Sequence, residues 1–124
     1  MIGGIKLKAI IQGIGAKAWD ESEPMLILFG EKITPELKEY SVLQTFEEGK
    51  VPQDLKVGDT LTFGEKTYTI EKVGRLANEN LQELGHVTLV FGPLPTHDEL
   101  VNAIYLAPHE LPHLEVGMEI NYSK

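Results

Sequence analysis

The chain contains no cysteine. That absence excludes a disulfide framework, a thiolate metal site and a cysteine nucleophile. Histidine is scarce. The four are His86, His97, His109 and His113, so any imidazole chemistry falls to one of them. Positive charge is scarce too. Eleven Lys and Arg stand against 19 Asp and Glu, a formal net charge of −8 at pH 7. This argues against nucleic acid and anionic membrane surfaces as partners, since both demand a basic patch. Long apolar runs are missing. A run such as Met25-Leu26-Ile27-Leu28-Phe29 is far short of the roughly 20 residues of a spanning helix. The stretch Met1–Lys6 has no basic segment leading into an apolar one, so it does not read as a signal peptide. The expected location is therefore the cytoplasm. What remains is ordinary: 124 residues, 42% apolar and 24% charged. Residues 1–124 are read as one domain able to bury one core.

Short strands with frequent turns dominate. Ile5 to Ile11 begins with period-2 alternation and is punctuated by Gly13 and Gly15. Met25 to Phe29 suits a strand covered on both faces, and Tyr40 to Phe46 returns to strand character. Between them, Thr34-Pro35-Glu36-Leu37-Lys38 reads as one helical turn, capped by Thr34 with Pro35 at its first position. Thr60–Phe63 and Thr67–Ile70 flank Gly64-Glu65-Lys66 and predict a hairpin. Asn78 to Leu84 is the best helix, with Asn78 as cap and Gly85 as stop. His86 to Phe91, Val101 to Leu106 and Glu119 to Tyr122 are further strand segments. Nothing alternates as β-α-β. With six or seven strands, the expected fold class is mostly all-β: a small single-domain barrel or sandwich with one or two short helical turns.

One nine-residue pattern occurs twice, as Leu55-Lys56-Val57-Gly58-Asp59-Thr60-Leu61-Thr62-Phe63 and Leu114-Glu115-Val116-Gly117-Met118-Glu119-Ile120-Asn121-Tyr122. Each is an apolar anchor, a glycine turn and a strand entering the core. The commoner explanation is strand-entry grammar of β-barrels; the other is pseudo-symmetric halves.

Most catalytic patterns fail. His109 and His113 are spaced i, i+4, but Pro108 and Pro112 deny them the helix that would align two metal ligands. His97 lies in a polar loop. Gly13-Ile14-Gly15 lacks the third glycine of a dinucleotide fingerprint, and there is no Walker or G-x-S-x-G motif. Glu47 and Glu48 are adjacent, which on a strand sends them to opposite faces. Trp19 anchors the acidic loop Asp20-Glu21-Ser22-Glu23. His86 is different. On a strand it shares a face with Thr88 and Val90, while Val87, Leu89 and Phe91 form an apolar face. An imidazole beside a hydroxyl near a glycine turn could be a nucleophile or acid–base group. It could equally be a strand-edge histidine satisfied by a backbone carbonyl.

Several blocks carry a family resemblance. They are Ile14-Gly15-Ala16-x-Ala18, Met25-Leu26-Ile27-x-Phe29, Leu37-x-Glu39-Tyr40, Val73-Gly74 and, longest, Glu79-Asn80-Leu81-x-Glu83-Leu84-Gly85-His86-Val87-Thr88-Leu89-x-Phe91. Through them the chain resembles the glucitol/sorbitol-specific IIA component of the bacterial phosphoenolpyruvate-dependent sugar phosphotransferase system. The resemblance implies a small β-barrel without a cofactor or metal. It also implies a phosphoryl relay, from the phosphocarrier protein HPr onto a histidine and on to the IIB domain of the IIB/IIC sugar permease. Neutral imidazole is both a competent nucleophile and a competent leaving group for such a relay. In the family pattern a His-x-His stretch follows the Glu-Tyr pair. Here, counting from Tyr40, Gln44 stands at the acceptor position and Phe46 at the second histidine. No histidine precedes His86, so no shift of alignment restores the acceptor. Two readings follow: a relay that uses His86, with Gln44 and Thr88 as binding candidates, or a paralogue that keeps the fold and its partners without the phosphoryl step.

Overall fold

In the segment Lys6–Ile14 the alternation places Ala9 and Ile11 at zero exposure. The computed structural model describes residues 6–19, 22, 24–47, 51–52, 54–94 and 100–123. Eight strands result, two more than the lower sequence estimate. They are β1 (Lys6–Ile14), β2 (Met25–Phe29), β3 (Val42–Phe46), β4 (Thr60–Phe63), β5 (Lys66–Val73), β6 (Val87–Val90), β7 (Ala103–Ala107) and β8 (Glu119–Ser123). Two helices join them, α1 (Pro35–Lys38) and α2 (Ala77–Leu84). The strands close a barrel in the order β1-β3-β2-β6-β7-β5-β4-β8. Only β2·β3 and β6·β7 are parallel; the other neighbours are antiparallel. No helix among the described residues is long and apolar enough to cross a membrane.

Local readings shift in physical ways. Gly13 does not end β1 but lies inside it, at a bulge opposite Leu43. Tyr40 precedes β3 and is exposed, while Ser41 turns inward and donates its hydroxyl to the Leu37 carbonyl at 2.8 Å. Thr34 is the N-cap of α1 with Pro35 behind it, although its side chain makes no capping bond. Asn78 is not a cap. It sits inside α2, accepting from the Leu55 amide at 2.9 Å and donating to the Leu55 carbonyl at 3.1 Å. A tertiary use of that amide outcompetes the capping one. The hairpin turn contracts to Gly64-Glu65, with Phe63 opposite Lys66.

The repeated nine residues mark more than strand grammar. Gly58 (φ +98°) and Gly117 (φ +93°) turn alike, beside equally exposed Val57 and Val116. The Gly58 amide donates to Ile70 at 2.9 Å and the Gly117 amide to Ile11 at 2.8 Å. Each receiving strand then bulges, β5 after Ile70 and β1 after Ile11. The Gly15 amide reaches Ser41 and the Gly74 amide Ala103; the Lys17 amide reaches Glu39 and the Leu76 amide Val101. In β4·β8, Leu61 pairs Tyr122 and Phe63 pairs Ile120. In β2·β6, Met25 pairs Val90 and Leu28 pairs Val87. An approximate two-fold axis therefore exchanges β1–β4 with β5–β8. The larger core cluster includes Phe63, Tyr68 and Phe91, which meet edge-on at 4.9–6.3 Å between centroids.

Candidate functional site

Helix α2 ends on Gly85 in the left-handed region (φ +66°), its amide donating to the Leu81 carbonyl at 2.9 Å. A second constraint makes glycine obligatory here. A Cβ on Gly85 would lie 2.9 Å from the Gly30 Cα and nitrogen, and one on Gly30 would lie 2.7 Å from the Leu84 carbonyl oxygen. These two glycines bring the end of α2 onto the end of β2, where the Gly30 amide donates to Leu84 at 3.0 Å. His86 follows immediately, so it lies just before β6 rather than within it. Its ring stacks on Phe29, centroids 4.1 Å apart and planes 20° off parallel. Its Nδ1 is 3.2 Å from the Leu28 carbonyl oxygen. A carbonyl can only accept, so Nδ1 carries the proton and Nε2 holds the free lone pair. Among the described residues no fully buried side-chain nitrogen or oxygen lacks a partner, and no hydrogen bond from Nε2 is found among them, so Nε2 is not fully buried. The carbonyl contact thus occupies one ring nitrogen of His86 and not the other.

Gln44 lies next to this loop. It is 2% exposed. The Tyr122 hydroxyl donates to its Oε1 at 2.6 Å, and its Nε2 donates to the Gly85 carbonyl at 3.2 Å. Burial drives the Tyr122 phenol well above its ordinary pKa, outweighing the opposing effect of the Gln44 hydrogen bond. The hydroxyl therefore stays a donor, and that fixes which end of the amide faces Gly85. Cavities of about 360 and 420 Å³ adjoin Gln44, sharing Gly30, Glu31 and Thr45 in their walls. Lys32 lines the first and Lys38 the second.

The buried phenol has a measurable consequence at alkaline pH. An unfolded chain releases the Tyr122 proton near pH 10.0, and the folded chain retains it. Stability is full below pH 10.0 and falls as pH rises towards the folded pKa, by about 1.4 kcal/mol per pH unit for this group. Burial also pushes Tyr68 up, to about 12, in the same direction. Denaturant titrations at pH 9 to 11 should show this decline, and Tyr122→Phe should make it shallower. An unchanged slope in Tyr122→Phe would refute the assignment.

The other sequence candidates lie apart. Thr88 is half-buried in β6 opposite Ile27, outside the hydrogen-bonded set around Gln44. Val87, Leu89 and Phe91 are buried as their shared face predicts. His109 pairs with Glu71 at 2.9 Å and His113 with Glu115 at 3.0 Å, each in its own exposed contact. No group of three or more metal-ligating side chains occurs among the described residues. His97 falls outside the described residues, as do Asp20, Glu21, Glu23 and Glu48. Glu47 pairs with Lys8 at 3.2 Å. Trp19 pins its loop by donating Nε1 to the Pro112 carbonyl at 3.2 Å. The residue that sequence reasoning missed is Tyr122. Its signal was present in the repeat, where Phe63 occupies the matching place without a hydroxyl.

A family model described as "PTS system glucitol/sorbitol-specific IIA component" matches residues 6–121. Glucitol/sorbitol-specific EIIA components of Shigella flexneri and Escherichia coli (strain K12) are each 40% identical over 85 residues, 68% of this chain and 68% of theirs. The crystal structure of a PTS system IIA component from Enterococcus faecalis V583 superimposes with a TM-score of 0.89. It is 44% identical, with 94% of this chain and 99% of that one covered. The barrel is thus that of a sugar phosphotransferase-system component. Within that class, the chain belongs to the glucitol/sorbitol-specific IIA family.

Proposed function

We propose that residues 1–124 act as one cytoplasmic IIA domain that takes a phosphoryl group from HPr onto Nε2 of His86 and delivers it to the IIB domain of a sugar permease. The single observation that carries this reading is the contact of His86 Nδ1 with the Leu28 carbonyl oxygen at 3.2 Å, which in the neutral ring puts the proton on Nδ1 and the lone pair on Nε2. The HPr nitrogen–phosphorus bond breaks as a bond from Nε2 to phosphorus forms, and the departing electron pair returns to the HPr imidazole. Transfer to IIB repeats the exchange in the other direction. Gln44 occupies the family's acceptor position, but an amide nitrogen has its lone pair delocalised and cannot carry the group. The net charge of −8 favours a partner with a basic patch.

The closed bonding of Gln44 favours a second reading, a binding or regulatory module with no phosphoryl step. Incubation with phosphoenolpyruvate, the first enzyme of the system and HPr, followed by intact mass, separates the two. One acid-labile phosphoryl group per chain is expected. A folded chain that stays unlabelled overturns the relay and leaves the module.

A further inference from the structure

The approximate two-fold relates one buried polar pair to an apolar one. Ile11 lies opposite Gln44, and its equivalent Ile70 lies opposite Leu106. Tyr122 matches Phe63 in the repeat. The pair Gln44 and Tyr122, on β3 and β8, therefore stands where the two-fold places Leu106 and Phe63, on β7 and β4, which are 0% and 2% exposed. The barrel closes around an apolar pair at these positions, so its folding does not demand an amide and a phenol. Burying two polar groups is unfavourable unless both are satisfied. Here both are, and the outward end of the chain is the carbonyl of the residue just before His86.

We propose that Gln44 and Tyr122 are positioning residues that hold the Gly85–His86 peptide so that Nδ1 of His86 meets the Leu28 carbonyl. The proposal deepens the reading of His86 as acceptor and rests on it for its kinetic consequence. The mechanical path is short. Tyr122 donates to Gln44 and thereby orients the amide. The amide nitrogen holds the Gly85 carbonyl. Gly85 is already pressed against Gly30, so fixing its carbonyl leaves the following peptide one orientation. The imidazole then stacks on Phe29 with one tautomer selected. Without the amide, the Gly85 carbonyl is left to the adjoining cavity, which it lines together with Gln44, and the peptide keeps only the 3.3 Å bond from the His86 amide to the Asn80 carbonyl. The ring loses its fixed aim.

The test copies the other half of the molecule: Gln44→Leu with Tyr122→Phe. Tyr122 and Gln44 leave together and the Gly85 carbonyl passes to water, so the melting temperature is expected to change little. Phosphoryl acceptance is expected to slow on the order of tenfold, since misaligning a nucleophile is costly even when its chemistry is intact. In nitrogen-15 histidine spectra, the Nδ1–H form of His86 should give way to a tautomer mixture. A double variant that is labelled at the wild-type rate, or keeps the pure Nδ1–H form, overturns the proposal. If the wild-type chain takes no phosphoryl group, the acceptor reading fails alone and the tautomer still decides this one. Should the double variant not fold, Tyr122→Phe alone frees the amide to flip and is expected to mix the tautomers as well; a pure Nδ1–H form there overturns the proposal.

Discussion

The His86→Ala protein is expected to fold and to take no phosphoryl group from phosphorylated HPr. The drop in labelling rate should be at least about a thousandfold, because the cavities beside Gln44 have no histidine among their lining residues. The alanine also removes the stack on Phe29 and the bond to the Leu28 carbonyl, which should lower stability by about 1–2 kcal/mol. His86→Phe separates those effects, since it preserves an aromatic ring against Phe29 and supplies no nitrogen. It should melt closer to wild type and remain unlabelled. Intact mass after incubation with phosphoenolpyruvate, the first enzyme of the system and HPr measures the labelling, and a thermal melt measures the stability. Labelling that survives in His86→Ala would move the acceptor to His109, His113 or His97 and refute the assignment. Gln44→His is the complementary variant. A His86→Ala/Gln44→His protein that gains label would show that the family position still faces HPr. One that is folded and unlabelled would show that more than the acceptor has changed there.

Much of the barrel was legible in the residues. Alternation, glycine turns and β-rich runs located every strand to within a few positions, because one-sided burial forces period 2. Barrel closure was not legible. It depends on which strand edges meet, and a turn signal says nothing about a pairing between β2 and β6. The helix cap at Asn78 was misplaced for a related reason: cap chemistry is local, whereas the bond to Leu55 joins segments far apart in the chain. His86 stood out through its block of neighbours. Its tautomer could not, since the carbonyl that selects it belongs to Leu28. Tyr122 stayed hidden because a buried tyrosine and a buried phenylalanine obey the same pattern; only the partner amide on β3 distinguishes them.

Gly15→Ala and Gly74→Ala are each expected to destabilise the protein by about 3 kcal/mol or more. A Cβ on Gly15 would lie 2.1 Å from the Lys38 carbonyl oxygen and 2.3 Å from that of Glu39. One on Gly74 would lie 2.4 Å from the Val101 carbonyl oxygen and 2.7 Å from that of Leu100. The obstructing atoms are backbone, so no side-chain rotation makes room. Nor can the segments part freely. The Gly15 and Lys17 amides bond across the contact at 2.9 and 2.8 Å, and the Gly74 and Leu76 amides do so at 2.7 and 2.9 Å. For a chain of this size the loss corresponds to roughly 10–20 °C in melting temperature. Gly58→Ala and Gly117→Ala are the controls. Both positions have positive φ, yet nothing lies within 4 Å of an added Cβ, so only conformational strain of about 1–2 kcal/mol applies. Thermal melts that rank Gly58→Ala with Gly15→Ala would mean that the close approach relaxes. A matched pair of large losses against a matched pair of small ones would extend the two-fold equivalence from register to energetics. It would also set apart Gln44 and Tyr122, polar where the two-fold-related Leu106 and Phe63 are apolar, as a departure from that equivalence beside His86.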